Sequence, residues 1–284
     1  MQLIKQIILE MRIKQWTKNL FVYAAILFHG GLFQFADFVT VTKAFLAFSL
    51  TASGVYFIND IFDIEKDRAN PKKSQRPIAS GKISKSVGYF CALLLFIAGL
   101  MLMYNVNVTC FWIVLSYVIL NLLYTVKLKH VVIIDVMIIS YGFVSRTIIG
   151  AVAVDIDMTI WFNLCVMFLS LFLALGKRRH ELLSVKDVKD GRKVLQQYSV
   201  EFINQMMSIV TSAIIMCYSM FTMTSDDKKM VLTIPLVIYG MFYYLYIVRV
   251  KVSGGAPEEA LYKEKPILLT VVLYVAYIIL IRNI

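Results

Sequence analysis

Long apolar segments alternate with shorter polar ones along most of this sequence. A helix needs about 20 predominantly apolar residues to cross a bilayer, and nine segments approach or exceed that length. They cover residues 19–36, 38–58, 87–105, 108–125, 131–153, 158–176, 204–224, 230–248 and 266–282. The pattern predicts an all-α, polytopic membrane protein with nine transmembrane helices in a single domain over residues 1–284.

Residues 1–16 have a different pattern, because their apolar side chains recur at the spacing of one helical face. Trp16 follows these apolar positions, which are Leu3, Ile4, Ile7, Ile8 and Met11. Charged residues interrupt the stretch, so it lacks the apolar core of a cleavable signal. We expect residues 1–16 to form an amphipathic helix that lies at the membrane surface.

The composition agrees with a membrane protein, since 60% of the residues are apolar, 17% are charged and the mean hydropathy is +0.74. A soluble domain contains about 45–50% apolar and about 25% charged residues. These values exclude a soluble cytosolic enzyme and a disordered chain. They also exclude an ordinary nucleic-acid-binding protein, so the net charge of +11 is better explained by the membrane topology.

The positive charges are unevenly divided between the two sides of the predicted topology. All but five of the 29 lysines and arginines fall in the N-terminal stretch or near 59–86, 126–130, 177–203 and 249–265. Because positive loops stay in the cytoplasm, we predict a cytoplasmic N-terminus and a C-terminus on the opposite side of the inner (plasma) membrane. The long polar loops 59–86 and 177–203 are then cytoplasmic, and we expect an active site there.

Four polar residues at the end of the second predicted span are the strongest candidates for chemistry: Asn59, Asp60, Asp63 and Asp67. If the helix continues, the three aspartates lie within about 60° of one another on one face. Mg²⁺ takes one or two carboxylates and completes its shell with water and substrate phosphates. The cluster predicts a magnesium-bound diphosphate substrate, and a solvated acidic helix end is the alternative on spacing alone.

Cations follow this acidic cluster directly. Arg68, Lys73 and Arg76 are candidates to hold phosphate oxygens, and a positive loop beside the membrane is the alternative, strongest for Lys73. Tyr124 and Lys127, at the end of the fourth span, share a helix face and are further candidates. An interfacial tyrosine with a snorkelling lysine is equally compatible with their pattern.

Two charges, Asp135 and Arg146, fall inside the fifth predicted span. They are about three helical turns apart and therefore share a face. Charges in hydrocarbon are costly and usually face a cavity or each other. We predict a polar stripe that lines a central cavity open to the cytoplasm, with Asp135 near its mouth; ion pairs with other helices are the alternative.

The end of the sixth span carries a second charged cluster. Lys177, Arg178 and Glu181 open the following loop, which continues with Asp187, Asp190 and Arg192 among its charged residues. One hypothesis makes this cluster the second half of a phosphate site. The alternative is a set of cations that stabilise the C-terminal end of a helix dipole.

These residues together resemble the UbiA superfamily of intramembrane prenyltransferases, whose first aspartate motif matches Asn59-Asp60-x-x-Asp63-x-x-x-Asp67. Nine helices with acidic cytoplasmic loops also match its architecture. A narrower resemblance is to its polyprenyl-phosphate phosphoribosyltransferase branch, of the decaprenyl-phosphate type. That match rests on Arg12-x-Lys14-Gln15-Trp16-x-Lys18-Asn19, Pro71-x-Lys73-x-x-Arg76-Pro77-Ile78-Ala79-x-Gly81, Lys127-Leu128-Lys129 and Leu173-Ala174-Leu175-Gly176-Lys177-Arg178.

The narrower resemblance implies that 5-phosphoribosyl diphosphate donates its phosphoribosyl group to a polyprenyl phosphate and that diphosphate leaves. For this reaction Mg²⁺ is expected on Asp60, Asp63 and Asp67. The donor phosphates are expected on Arg68, Arg76 and Lys177, and the acceptor phosphate on Lys18, Lys127 and Lys129. A carboxylate near the ribose C1 stabilises the charge that develops there, and Asp135 is the candidate.

The sequence departs from the family pattern at two places. First, Ile13 stands where the branch usually has proline. Second, the family's second motif has two aspartates four residues apart, and the candidates here, Glu181, Asp187 and Asp190, have other spacings. The second departure argues against a quinone-type prenyltransferase. Prenyl transfer from a prenyl diphosphate to an aromatic or other small acceptor is nevertheless one alternative function, and a lipid transporter or flippase is another.

Overall fold

The computed structural model describes residues 2–71, 73–184, 193–225, 227–251 and 264–283, and this part of the chain contains helices and no strands. The α-helices are α1 (Gln2–Glu10), α2 (Ala24–His29), α3 (Phe35–Phe62), α4 (Ile64–Ala69), α5 (Lys85–Val106), α6 (Val108–Val126), α7 (Ile134–Ala153), α8 (Ile160–Ser184), α9 (Val200–Thr224), α10 (Ile234–Tyr246) and α11 (Lys265–Asn283). Short 3-10 helices cover Ile13–Tyr23, Leu128–His130, Lys193–Gln197 and Lys228–Thr233, and a π-helical segment covers Ile247–Lys251.

Seven helical stretches among the described residues are long and apolar enough to cross a membrane. They correspond to the second through eighth predicted spans: Phe35–Phe62, Lys85–Val106, Val108–Val126, Ile134–Ala153, Ile160–Leu183, Val200–Thr224 and Lys228–Val250. The all-α prediction is therefore confirmed for the described ranges. The predicted loop 177–203 begins later than expected, because α8 continues to Ser184.

The first and ninth predicted spans contain no helix of that length, so nine spans are not confirmed. In place of the first, a 3-10 helix is followed by the short α2, which ends at His29. Gly30 comes next with a φ of 92°, a left-handed conformation that glycine adopts without a steric penalty. The apolar part of α11, Lys265–Ile281, is shorter than the other seven stretches.

The chain divides into two compact units, and the first contains the chain up to Ile26, Gln34–Lys129 and Ser145–Asp157. In this unit α3 packs against α5, α6 and the 3-10 helix Ile13–Tyr23. A Cβ atom on Gly99 of α5 would lie 2.8 Å from the Ala47 carbonyl oxygen of α3. Small residues allow such close backbone approach between membrane helices. As a result, α3 is a firmly packed support for the residues at its C-terminal end.

The second unit contains Leu27–Phe33, His130–Val144 and Met158–Ile284. Its helices α8 and α9 pack along each other, and its core includes Phe172, Met207 and Tyr244. The rings of Phe172 and Tyr244 lie 5.0 Å apart between centroids. The single domain over residues 1–284 stays a prediction.

The close approach of α7 to the 3-10 helix Ile13–Tyr23 gives a test of the packing. A Cβ atom at Gly150 of α7 would overlap the Val22 backbone carbonyl. We expect Gly150→Ala to destabilise the fold by about 1–3 kcal/mol, because backbone atoms must move. This sign opposes the gain of up to about 1 kcal/mol that alanine has over glycine in a helix interior.

Thermal unfolding in detergent, followed by intrinsic fluorescence, measures this effect. Gly240→Ala is the matched control, since its Cβ would meet Thr270 Cγ2 at an ordinary 3.6 Å. Its melting temperature should equal or exceed that of the unmodified protein. A Gly150→Ala variant as stable as Gly240→Ala would contradict the packing described above.

Candidate functional site

The acidic motif lies where α3 ends and α4 begins. The helix does not continue unbroken through Asp67, because α3 ends at Phe62 and Asp63 occupies a turn with φ −99° and ψ 13°. The Asp63 carbonyl still accepts a hydrogen bond from the Asp67 amide at 2.8 Å, which starts α4. Three like charges on one helix face would repel, and the turn lets them contact different cations.

Asp60 and Asp67 meet at a single cation, Arg76. The Arg76 Nη1 atom lies 3.1 Å from Asp60 Oδ1 and 2.6 Å from Asp67 Oδ2. Both carboxylates are buried, each 3% exposed. Lys73 Nζ lies 4.0 Å from the other oxygen of Asp67. The loop after α4 therefore brings two of the predicted phosphate-binding cations to two of the predicted metal-binding carboxylates.

Asp63 is held apart from this pair by a different cation. Its Oδ1 atom lies 2.7 Å from Nζ of Lys129, a buried residue of the 3-10 helix after α6. Asn59 also faces the end of α6, where its side-chain oxygen accepts a hydrogen bond from the Thr125 hydroxyl. The motif is thus divided between two sets of partners, and Lys129 pairs with a motif carboxylate.

Arg68 contacts its own loop. Its Nε atom donates to the Ala79 carbonyl at 3.0 Å, and Nη1 lies 3.5 Å from Glu65 Oε1. The side chain is 54% exposed. These contacts place Arg68 as a support for the loop between α4 and α5, and the structure does not bring it to Asp60.

Two residues of the N-terminal segment, Arg12 and Glu10, also belong to the site. The spacing of the sequence alone did not identify them. The Arg12 guanidinium pairs with Asp60 Oδ2, so each oxygen of that carboxylate meets a different arginine. Glu10 is 1% exposed, and neither of its oxygens meets a hydrogen-bond donor among the described residues. Burial, followed by the nearby Asp60 carboxylate, raises the pKa of Glu10 to about 8. The sequence signal for Glu10 was its position as a charged residue beside the apolar face of the amphipathic stretch 1–16.

Arg146 of α7 is enclosed within the first unit. Its Nε atom donates to the Asn19 side-chain oxygen at 2.8 Å, and the Asn19 amide donates to Ser49 Oγ at 2.9 Å. The guanidinium also lies over two rings, 4.5 Å from the centroid of Phe48 and 5.5 Å from that of Tyr117. Such stacking stabilises a desolvated cation. These contacts connect Arg146 to neighbouring helices of the unit.

The remaining predicted phosphate contacts of this unit lie near its surface. Lys18 is half-buried in the 3-10 helix after α1, Tyr124 is half-buried near the end of α6, and Lys127 is exposed as its C-cap. The acceptor contacts of Lys18 and Lys127 and the phosphate contact of Tyr124 stay predictions.

In the second unit, Asp135 and Arg178 form a buried ion pair. Arg178 Nε lies 2.7 Å from Asp135 Oδ2, and the two side chains are 1% and 0% exposed. The other Asp135 oxygen accepts a hydrogen bond from the Tyr198 hydroxyl at 2.8 Å, and Arg178 also contacts Glu181 at 2.5 Å. Burial raises the pKa of Tyr198 to about 12, so its hydroxyl stays protonated as a donor.

This ion pair favours the structural alternative for Asp135 and for Arg178, since each satisfies the other's charge. The predicted cavity lined by Asp135 and Arg146 is not shown. Lys177 is exposed on α8, and Asp187, Asp190 and Arg192 lie outside the described residues. Tyr198, which orients Asp135, was not predicted, and an isolated tyrosine in a loop gave no signal.

The carboxylates at the end of α3 differ in how well they suit a divalent metal. Within the described ranges no three His, Cys, Asp or Glu side chains form a metal-binding group. Asp60 and Asp67 nevertheless present oxygen atoms to one point, where a cationic nitrogen of Arg76 lies. Two carboxylates with open positions suit Mg²⁺, which keeps waters and takes phosphate oxygens. The residues fit a two-carboxylate site, and Asp63 lies apart from it.

Comparisons with known proteins identify the family to which the chain is similar. The model of the UbiA prenyltransferase family matches residues 19–262. The chain is 33% identical over 279 residues to a decaprenyl-phosphate phosphoribosyltransferase from Mycolicibacterium smegmatis, covering 93% of this chain and 88% of that protein. A protein of the same name from Corynebacterium glutamicum is 33% identical over 265 residues, covering 90% and 80%.

A solved structure has the same fold. A UbiA homologue from Archaeoglobus fulgidus, bound to GPP and Mg²⁺, superposes with a TM-score of 0.79 over 98% of this chain and 100% of its own. Its sequence identity is 18%, so this likeness concerns the fold alone. Together, the comparisons confirm the family resemblance that the motifs indicated.

The buried ion pair of the second unit gives a stability prediction. Asp135→Asn leaves the Arg178 guanidinium buried beside a neutral amide, and removing one partner of a buried pair costs about 3–5 kcal/mol. We expect a large fall in the melting temperature in detergent. Asp157→Asn, which changes an exposed carboxylate, is the control. Equal melting temperatures for the two variants would show that Asp135 is not structural.

Proposed function

The chain belongs to the UbiA prenyltransferase family, and from that premise we propose that it transfers the 5-phosphoribosyl group of phosphoribosyl diphosphate to a polyprenyl phosphate. Diphosphate leaves in this reaction. The protein is a multi-pass membrane protein by its family and its apolar helices. The observation that carries the proposal is the meeting of Asp60, Arg76 and Asp67 at one point, because a metal-bound diphosphate needs both carboxylates and a guanidinium.

The choice of donor and acceptor follows from the relatives. Two proteins named decaprenyl-phosphate phosphoribosyltransferase match at least 90% of this chain at 33% identity, so the matched region spans the acidic motif and the cationic loop. A prenyl diphosphate donor has weaker support. The solved structure that holds GPP and Mg²⁺ shares only 18% of its residues with this chain.

The proposed donor site uses side chains of the first unit. Asp60 and Asp67 hold Mg²⁺, while Arg76 and Lys73 hold the phosphate oxygens of the donor. When bound, Mg²⁺ neutralises charge on the departing diphosphate. Asp63 is not needed as a ligand in this arrangement. It instead holds Lys129 at the end of α6, where this lysine can be presented to a second phosphate.

The acceptor phosphate is already an anion and does not require a general base. The bond between the ribose C1 and the diphosphate oxygen breaks, and a bond from C1 to an acceptor phosphate oxygen forms. The protein's task is therefore to bring the two phosphates together, which positioning achieves. Lys18, Lys127 and Lys129 are the proposed acceptor contacts. The positive-inside pattern supports a site at the cytoplasmic face of the inner membrane.

A transfer assay tests the proposed function directly. The purified full chain is incubated with radiolabelled phosphoribosyl diphosphate, a polyprenyl phosphate and Mg²⁺, and the lipid phase is analysed. We expect a labelled lipid together with one diphosphate per transfer, and no product when Mg²⁺ is chelated. A prenylated small acceptor from a prenyl diphosphate, with no labelled lipid from the sugar donor, would support the alternative prenyl transfer. Movement of lipid without covalent change would support a flippase.

Asp60→Asn tests the carboxylate that meets both arginines. We expect a loss of turnover of about 100-fold or more, because the variant lacks the negative charge that binds Mg²⁺ at the departing diphosphate. Asp37→Asn is the matched control, since Asp37 lies in the first turn of the same helix, at its other end. Full activity of Asp60→Asn in a folded protein would contradict the metal assignment.

A further inference from the structure

The segment between α1 and the following 3-10 helix has a strained backbone that is fastened to α3. Arg12 adopts φ 53° and ψ 49°, a left-handed conformation that is unfavourable for a residue with a side chain. On one side of it, the Met11 carbonyl accepts a hydrogen bond from Ser53 Oγ at 2.9 Å. On the other side, Trp16 Nε1 donates to the same Ser53 oxygen at 3.1 Å. One serine of α3 thus fixes the segment around Arg12.

The side chain of Arg12 is fixed by the same helix. Its guanidinium pairs with Asp60 Oδ2 and lies 5.2 Å from the ring centroid of Tyr56, one turn earlier on α3. A tyrosine face attracts a guanidinium and restricts its movement. The backbone strain and the ring therefore serve to hold a cation from residue 12 against the acidic motif.

Asp60 has more positive charge around it than one carboxylate can satisfy. Arg12 contacts one of its oxygens and Arg76 the other. Once Asp60 is committed to a divalent cation, both guanidiniums need another anion, since they would otherwise repel that cation at short range. Arg76 also contacts Asp67, which is the second proposed metal ligand. Arg12 pairs with Asp60 and also lies near the buried carboxyl group of Glu10. A diphosphate oxygen on the accessible side of Arg12 is an anion that replaces the charge of Asp60.

The solvent exposure of Arg12 and Arg76 distinguishes their ion pairs with Asp60 from a purely structural ion pair. Arg12 is 18% exposed and Arg76 27%, whereas Asp60 is 3% exposed, so the cations are on the accessible side of the carboxylate. The pair of Arg178 with Asp135 has both partners at or below 1%. A counter-ion that only stabilises the fold is expected to be fully enclosed in the same way. The Arg12 guanidinium instead remains reachable by a ligand.

We infer that Arg12 is a donor-binding residue, whose guanidinium takes an oxygen of the donor's diphosphate when Asp60 binds the divalent cation. This inference rests on the proposed function and adds a contact to its donor site. Arg12 and Arg76 then bind the diphosphate from two sides, one from the N-terminal segment and one from the loop after α4. Because Arg12 comes from a separate segment, its loss should weaken diphosphate binding without removing the carboxylates.

Ligand affinity measured by thermal shift tests this inference without reference to turnover. The full chain in detergent is titrated with inorganic diphosphate and with phosphoribosyl diphosphate, each with Mg²⁺. We expect Arg12→Gln to weaken both affinities by about 10- to 100-fold, the range for one charged hydrogen bond. Arg12→Lys should recover part of the loss, since it keeps the charge and lacks the planar fork. Lys14→Gln removes the same charge from an exposed neighbouring position and should leave both affinities unchanged.

A second readout separates diphosphate binding from support of Asp60. Mn²⁺ binding without diphosphate is measured by electron paramagnetic resonance. A donor contact predicts that Arg12→Gln binds Mn²⁺ as tightly as the unmodified protein or more tightly, because a competing cation is gone. Weaker Mn²⁺ binding with unchanged diphosphate affinity would overturn the inference and make Arg12 a support for Asp60. If Arg12→Gln does not fold, Arg12→Lys with unchanged diphosphate affinity overturns it equally.

The unmodified protein separates failure of this inference from failure of the proposed function. If it binds inorganic diphosphate and phosphoribosyl diphosphate, and Arg12→Gln binds them equally well, only the role of Arg12 is wrong. If the unmodified protein binds neither compound in the presence of Mg²⁺, the proposed function and the inference both fail.

Discussion

The buried carboxylate of Asp60 is the interaction on which the first unit's site depends. A charge at 3% exposure is costly unless it is paired, and two arginines pair with it from different parts of the chain. Arg12 brings the N-terminal segment to the end of α3, and Arg76 brings the loop that follows α4. One carboxylate thus determines where three otherwise separate segments meet.

The support behind this carboxylate is made of backbone contacts. Small residues of α3 and α5 let the two helices approach until a Cβ atom at Gly99 would meet a carbonyl oxygen. Hydrophobic contacts alone give little discrimination between helices in lipid, so close packing of this kind determines which faces meet. The end of α3 is therefore well placed to hold charges at fixed positions, which a site for phosphates requires.

The turn at Asp63 gives the acidic motif its chemical character. A continuous helix would stack three carboxylates on one face, and their mutual repulsion would call for a cluster of metal ions. The turn instead directs Asp63 to Lys129 and leaves Asp60 and Asp67 around Arg76. Such a division produces one site with carboxylates and guanidiniums together. It also leaves Lys129 separate from that site, where the proposed function assigns it to the acceptor phosphate.

The sequence by itself determined the helices that cross the membrane and the location of the acidic motif. Seven predicted spans are present because a long apolar run in lipid has no alternative to a helix, whose backbone groups bond within the segment. The tertiary structure decided the partners of each charge. Arg12 and Asp60 are 48 residues apart, and Lys129 and Asp63 are 66 apart, so no local period connects them. The apolar pattern also did not predict the interruption of the first span. There, Gly30 has a positive φ and the 3-10 helix packs against α3.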